Sequence, residues 1–221
     1  MRWDRLFDDL GAQLGEGRHP GDHRLRSEEE RLRLAKLTLR ERLSALAASA
    51  RAESARVQTA WAEPAHSRDG FHTRPPAMPA APALTVALTD GTDLRLLPTT
   101  VGRDWLAATL IDEPGVQCVL PLVSIAGLHM TQHQAVTSAE AGGDGGHVSR
   151  VGFGVVLRDL CRRRRPVHVM TRAGAVHGTI DRVAADHLDL AVHAVEHARR
   201  NRDVVQIRLI ALAQIVCLRL I

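Results

Sequence analysis

The stretch from Pro166 to His193, PVHVMTRAGAVHGTIDRVAADHLDLAVH, alternates apolar and polar residues in three successive runs. It turns at Ala173-Gly174 and again at Ala184-Ala185-Asp186. A period of two places alternate side chains on opposite faces, so the pattern predicts three short antiparallel strands in a meander. Three strands alone cannot bury their apolar face. The chain must therefore supply more strands, or another layer, against this one.

Upstream, a fainter version of the same order occurs. LTVAL from Leu84 predicts a strand, Asp90-Gly91 a tight hairpin turn, and LRLLPTTV a second strand. Gly102-Arg103-Asp104 turns the chain into WLAATLI, Asp112 to Gly115 turns it again, QCVLP follows, and Ser124 to Leu128 closes the set. Val86 aligns with Val169, Gly91 with Gly174, Val101 with Val183, Asp104 with Asp186 and Leu106 with Leu188. VLPLVSIAGL (119–128) then aligns with LIALAQIVCL (209–218). Five short strands of this kind are expected to close into a small barrel, here present as an internal repeat. The fold class that follows is α+β, mainly β: two tandem five-stranded barrels, N-terminal amphipathic helices, and a helix before the second barrel.

The remaining segments set the domain boundaries. Trp3, Leu6, Phe7, Leu10 and Leu14 share one helical face, and Ser27-Glu28-Glu29-Glu30 opens a second helix with acids at its positive end. Leu32, Leu39 and Leu46 recur at heptad spacing, which suits either a coiled-coil dimer or packing on the first barrel. Residues 1–62 are thus read as a helical arm and the Pro-rich 63–82 as a linker. The first barrel occupies 83–130, a Gly-rich flexible linker 131–147, and a helix with the second barrel 148–221. In that helix Phe153, Val156, Leu157, Leu160 and Cys161 form the apolar face, with Ser149 as its cap and Pro166 ending it.

Composition narrows the classes. Tyr is absent and only six residues are Trp or Phe, so Ala, Val and Leu must fill the cores. The formal charge of +4 is carried by Arg, with Lys36 the single lysine. Arg in place of Lys alongside abundant Ala, Gly and Val is the imprint of a GC-rich genome and does not by itself argue for nucleic acid. Cys118, Cys161 and Cys217 lie in apolar segments at wide spacing, which predicts buried free thiols in a reducing compartment. MRWDRLFDDL lacks the apolar run of a signal peptide, and no segment approaches a membrane span, so a cytoplasmic protein is expected.

A helix followed at once by strand, Gly turn, long strand, Asp-x-Leu strand, short turn and closing strand resembles the Sm-like small barrel. VLRDLCRRRRPVHV and GTIDRVAADHLDLAVH are similar to segments of an uncharacterised actinobacterial family, sometimes labelled Fis-type transcriptional regulators. That label implies a helix-turn-helix, and the strand-patterned C-terminal half contains none. The Sm resemblance implies pairing of barrels through edge strands. It does not carry over a uridine site. Asp104-Trp105-Leu106-Ala107-Ala108 and Asp186-His187-Leu188-Asp189-Leu190 lack the Asn of that motif, and QCVLP and VVQIRLI lack its Arg-Gly.

No G-x-S-x-G, H-E-x-x-H or P-loop occurs, and Asp181, Asp186 and Asp189 sit on strands and turns, so no enzyme activity and no cofactor are expected. Five histidines fall in or beside the second barrel. His168, His187 and His193 occupy positions that alternate with the apolar face and are expected to point outward. His193-x-x-x-His197 has the spacing of a zinc half-site if helical, making these two the metal candidates. The remaining signal is positive charge. Arg158, Arg162, Arg163, Arg164, Arg165 and Arg172 crowd the second helix and its exit, and Arg199, Arg200 and Arg202 lie in a later loop. If they converge, they would neutralise several phosphates of RNA or DNA. The preferred expectation is a non-enzymatic adaptor or regulatory binding module, with a protein partner or self-association through the N-terminal helices or barrel edge strands. Nucleic-acid binding by the arginines is the alternative.

Overall fold

In a computed structural model describing residues 21–62, 83–140, 150–194 and 204–220, the alternating stretch forms β6 (Pro166–Thr171), β7 (Gly174–Val183) and β8 (His187–Val192). Side chains of β6 alternate between buried and half-buried, as the period of two demands. Gly174 opens β7 with φ +119°, a backbone conformation that a Cβ would strain. Seven further strands complete the sheet. They are β1 (Leu84–Leu88), β2 (Asp93–Val101), β3 (Trp105–Leu110), β4 (Gln117–Pro121), β5 (Ile125–His129), β9 (Gln206–Ala211) and β10 (Ile215–Leu220).

These strands do not form two closed five-stranded barrels. They form one open, ten-stranded antiparallel sheet in the order β5-β1-β2-β3-β4-β10-β6-β7-β8-β9. Closure of either half would need its fourth and fifth strands to pair. A 3-10 turn at Leu122–Ser124 instead directs β5 onto β1, and its counterpart at Leu212–Gln214 directs β10 onto β6. The edge that β4 leaves free is taken by β10, with Val119 opposite Leu218, Cys118 opposite Arg219 and Gln117 opposite Leu220. A bare edge of amides and carbonyls is costly, and joining the two halves satisfies one from each. Strand order is the same in both halves, the fifth strand lying beside the first.

Two cores flank the β4–β10 junction and share its residues. The first contains Leu84, Val86 and Leu88 of β1, Leu96 of β2 and Leu106 of β3, together with Val216 and Cys217 of β10. The second contains Val167, Val169, Ile180, Leu188 and Leu190 with Ile215 and Leu218 of β10, and it takes Trp105 and Val119 from the first half. Ser124 reinforces the junction: its buried hydroxyl lies within hydrogen-bonding distance of Val216 O at 2.8 Å and Pro121 O at 2.7 Å. Cys118 and Cys217 are buried free thiols, and Cys161 is half-buried.

Helix α1 spans Gly21–Lys36 and belongs to a unit covering residues 1–37. The heptad stripe does not run through one helix. It is split between Leu32 and Leu39 by the start of a new helix, which Thr38 and Glu41 open with a reciprocal capping box. The Thr38 N–H donates to the Glu41 carboxylate at 2.7 Å, and the Glu41 N–H donates to Thr38 Oγ1 at 3.2 Å. Helix α2 (Leu39–Ala62) follows and packs on β2, burying Leu43, Leu46, Ala47 and Ala50. The expected helix over Trp3 to Leu14 and the Pro-rich 63–82 lie outside the described residues.

The segment 131–147, read as a flexible linker, is helical over Gln132–Glu140 (α3). Thr131 and Gln134 make a second capping box there, and Gln134 Nε2 also donates to Ala83 O at 3.1 Å. Arg42 of α2 donates to Ser138 Oγ of α3 at 2.8 Å. These polar ties, rather than an apolar stripe, hold the segment in place. None of the described helices is long and apolar enough to cross a membrane.

Because β10 serves both cores, the sheet should unfold as one cooperative body. Leu218→Ala, at a fully buried position, is expected to cost about 2–5 kcal/mol. Denaturant unfolding should show one transition shifted to lower denaturant. Two separated transitions would contradict the shared sheet.

Candidate functional site

Helix α4 (Phe153–Arg162) packs on β7 and buries Phe153, Leu157 and Leu160. Its first residue is capped from a distance. The Phe153 N–H donates to Asp104 Oδ1 at 2.7 Å, and Asp104 lies in the β2–β3 turn. Trp105 Nε1 donates to Val151 O at 2.9 Å and the Arg103 N–H to the same carbonyl at 3.0 Å, so the first half positions the start of the second half's helix. Gly102 is required there, since a Cβ would fall 2.1 Å from the Trp105 indole nitrogen.

The helix ends in a Schellman motif. The Arg164 N–H donates to Cys161 O at 3.1 Å and the Arg165 N–H to Leu160 O at 3.2 Å, with Arg164 left-handed at φ +51°. Three of the four arginines in the run are ion-paired at the surface. Arg162 and Arg163 both clamp Asp159, at 2.6 Å each, and hold its carboxyl below the usual range. Arg164 pairs with Asp181 of β7 at 2.9 Å. Arg158, Arg165 and Arg172 are exposed, with no carboxylate partner among the described residues. Arg199, Arg200 and Arg202 lie outside the described residues.

A different group of arginines does converge. Arg103, Arg150 and Arg158, from three separate segments, line a groove of about 470 Å³ at the start of α4. Its walls include Asp104, Phe153, Val123 and Leu212. Arg103 is 3.7 Å from Asp104, whose other oxygen holds the Phe153 N–H. Arg158 belongs to the basic cluster evident in the sequence, and Arg150 lies just ahead of it. Arg103 is remote in the chain and carries no local signal.

The histidines divide in a way the alternation does not foretell. His168 and His187 are half-buried, and His187 Nδ1 meets Asp186 at 2.7 Å. His193, expected to point outward, is buried one residue past the end of β8, where it packs against Thr179 and His177 of β7. Its Nε2 lies 2.9 Å from Thr179 Oγ1 and its Nδ1 2.9 Å from Ala194 O, so both ring nitrogens are engaged. His177 meets His193 edge-on, with ring centroids 5.1 Å apart, and sits opposite His168 across β6–β7. Among the described residues neither nitrogen of His177 has a hydrogen-bond partner. No group of three or more His, Cys, Asp or Glu able to hold a metal occurs among the described residues, and His197 lies outside them.

The last surface is an edge. Among the described residues β9 pairs only with β8, and its Ile207 and Leu209, 57% and 64% exposed, share one face of the strand, with Val205, 81% exposed, just before it. Natural sheets guard such edges with charge, proline or bulges. Here the apolar residues face outward, with Arg208 the only charge between them.

Desolvation, and then the neighbouring His193 and His168, lower the pKa of His177, so the fold favours its neutral form. The associated stability is whole above the ordinary value of 6.5 and is lost as pH falls below it toward the lowered folded value. The thermal midpoint of the parent should therefore drop between pH 7 and pH 5 more steeply than that of His177→Leu. Parallel pH profiles would contradict this role.

Comparison of the chain with protein-family models, with curated proteins and with solved structures finds no match to any of them.

Proposed function

We propose that this protein is a non-enzymatic binding module that takes up an extended protein strand along β9. The observation that carries the reading is the exposure of apolar Ile207 and Leu209 on a strand at the end of the sheet, with exposed Val205 just before it. Strand addition uses the free backbone groups of such an edge for affinity and alternate side chains for selectivity. The adjoining sheet is rigid, since β8 beside it contributes Leu188 and Leu190 to the second core. Buried free thiols at Cys118 and Cys217 suit a reducing, cytoplasmic setting.

A second reading, binding of a nucleic-acid backbone, is favoured by the groove at the start of α4. Arg150 and Arg158 have no carboxylate partner among the described residues, and Arg103, Arg150 and Arg158 face one concavity. This differs from a site at the helix end, where the guanidinium groups of Arg162, Arg163 and Arg164 are spent on Asp159 and Asp181. Stacking aromatics are sparse, so such binding would rest on phosphate contacts and fall steeply with salt.

Two substitution experiments separate the readings. Ile207→Lys with Leu209→Lys alters only exposed side chains and should leave circular dichroism and thermal unfolding unchanged. It should abolish association with protein, whether another chain or a second copy; unaltered association would overturn the strand-addition reading. For the groove, Arg150→Ala with Arg158→Ala should weaken RNA or DNA binding at low salt. The slope of log affinity against log salt should become shallower by about 0.9 for each duplex phosphate that is no longer neutralised. Arg162→Ala with Arg163→Ala should change that slope little. The reverse pattern, or no binding at low salt, would contradict the groove reading.

A further inference from the structure

Resting on the second reading only in taking the groove at the start of α4 as a phosphate site, we infer that its ligand is a small phosphate monoester carried on an apolar body. Arg103 comes from the β2–β3 turn, Arg150 from the segment just ahead of α4, and Arg158 from the second turn of that helix. Three separate parts of the chain thus bring a guanidinium to one concavity. A Cβ on Gly152 would fall 2.6 Å from Arg103 Nη2, so the glycine lets this guanidinium lie against the backbone of the helix start. Arg158 Nη1 lies 3.9 Å from the place a Cβ of Gly154 would take, which brings a second guanidinium to the same turn.

Charge sets the class of anion. Among the described residues the charged lining of the groove is these three arginines and Asp104, which leaves a balance of two positive charges. Asp104 Oδ1 accepts from the Phe153 N–H at 2.7 Å, so part of that carboxylate is turned to the helix. A phosphate monoester carries about 1.5 to 2 negative charges at pH 7 and three strong acceptor oxygens, which matches the balance. A carboxylate, or each diester of a nucleic-acid backbone, carries only one. Guanidinium groups suit such oxygens because their planar donors make paired, charge-assisted hydrogen bonds.

The rest of the lining sets what the phosphate is attached to. Val123 and Val155, 74% and 51% exposed, line the same concavity as the arginines, together with Phe153 and Leu212. Val123 belongs to the 3-10 turn of the first half and Val155 to the first turn of α4, so the apolar wall, like the cations, is assembled from both halves. A concave space of about 470 Å³ with apolar walls and a few convergent polar groups has the size and make-up of a small-molecule site. A polyanion bound through its backbone alone would leave those walls unused.

The test is titration calorimetry of the full chain with phenyl phosphate, inorganic phosphate and methyl phenyl phosphate, the corresponding diester. Phenyl phosphate should bind more tightly than either of the others. Its affinity should fall between about pH 7.5 and about pH 5.5, as the dianion takes up a proton with a pKa of about 6. No histidine lines the groove among the described residues, so that loss belongs to the ligand. Arg103→Ala and Arg158→Ala, both at exposed side chains, should leave circular dichroism unchanged and each weaken phenyl phosphate by about tenfold. Val155→Ser should abolish the preference over inorganic phosphate without weakening inorganic phosphate itself. A diester that binds as tightly as the monoester, affinity indifferent to the arginine substitutions, or a preference that survives Val155→Ser would overturn the inference. If phenyl phosphate does not bind while a 5′-hydroxyl oligonucleotide binds through Arg150 and Arg158, the inference falls and the backbone reading of the groove stands. If neither binds at low salt, both fail.

Discussion

Strand β10 lies between β4 and β6, and the rest of the structure depends on that placement. Its two edges are paired with strands from different halves of the chain, and its side chains enter two cores. Val216 and Cys217 face the first core, Ile215 and Leu218 the second. Neither half has a complete apolar layer of its own: the first borrows from β10, and the second borrows Trp105 and Val119. The C-terminal strand is thus a structural centre, and the free edges of the sheet fall at β5 and β9.

That arrangement decides where function has room to lie. Several residues that stand out by charge are ion-paired: Arg162 and Arg163 hold Asp159, and Arg164 closes the helix and reaches Asp181. His193 and Thr179 satisfy each other beneath the sheet. What the fold leaves uncommitted is the outer side of β9 and the groove walled by Arg103, Arg150 and Arg158. Both are surfaces for binding. The first presents apolar side chains and free backbone to a strand, the second presents cations to an anion.

Much of the fold is legible in the residues, and the parts that are not have physical causes. Alternation and turn chemistry locate the strands, since a period of two and a Gly at positive φ are local properties, as at Gly91 and Gly174. Closure is not local. A five-strand run satisfies the same pattern whether it closes on itself or opens to meet a second run, and the difference lies in the pairing of β4 with β10, about a hundred residues apart in the chain. Thr131 and Gln134 carry a capping-box spacing that marks α3, but the Gly-rich residues after it obscure the signal. The cap of α4 is beyond the reach of sequence pattern, because Asp104 comes from another half of the sheet. His193 is covered by Thr179 and His177 of the neighbouring strand, a contact that alternation along β8 does not reveal. For the candidate surfaces, VVQIRLI reads from sequence as a fourth strand, and only the sheet order shows it to lie at an end of the sheet.

Whether β9 takes up a strand can be tested most directly by amide hydrogen exchange before and after association with protein. If it does, exchange should slow at Gln206–Ala211 as association proceeds, with the β4–β10 amides protected throughout. Association that leaves this segment exchanging at an unchanged rate would contradict it.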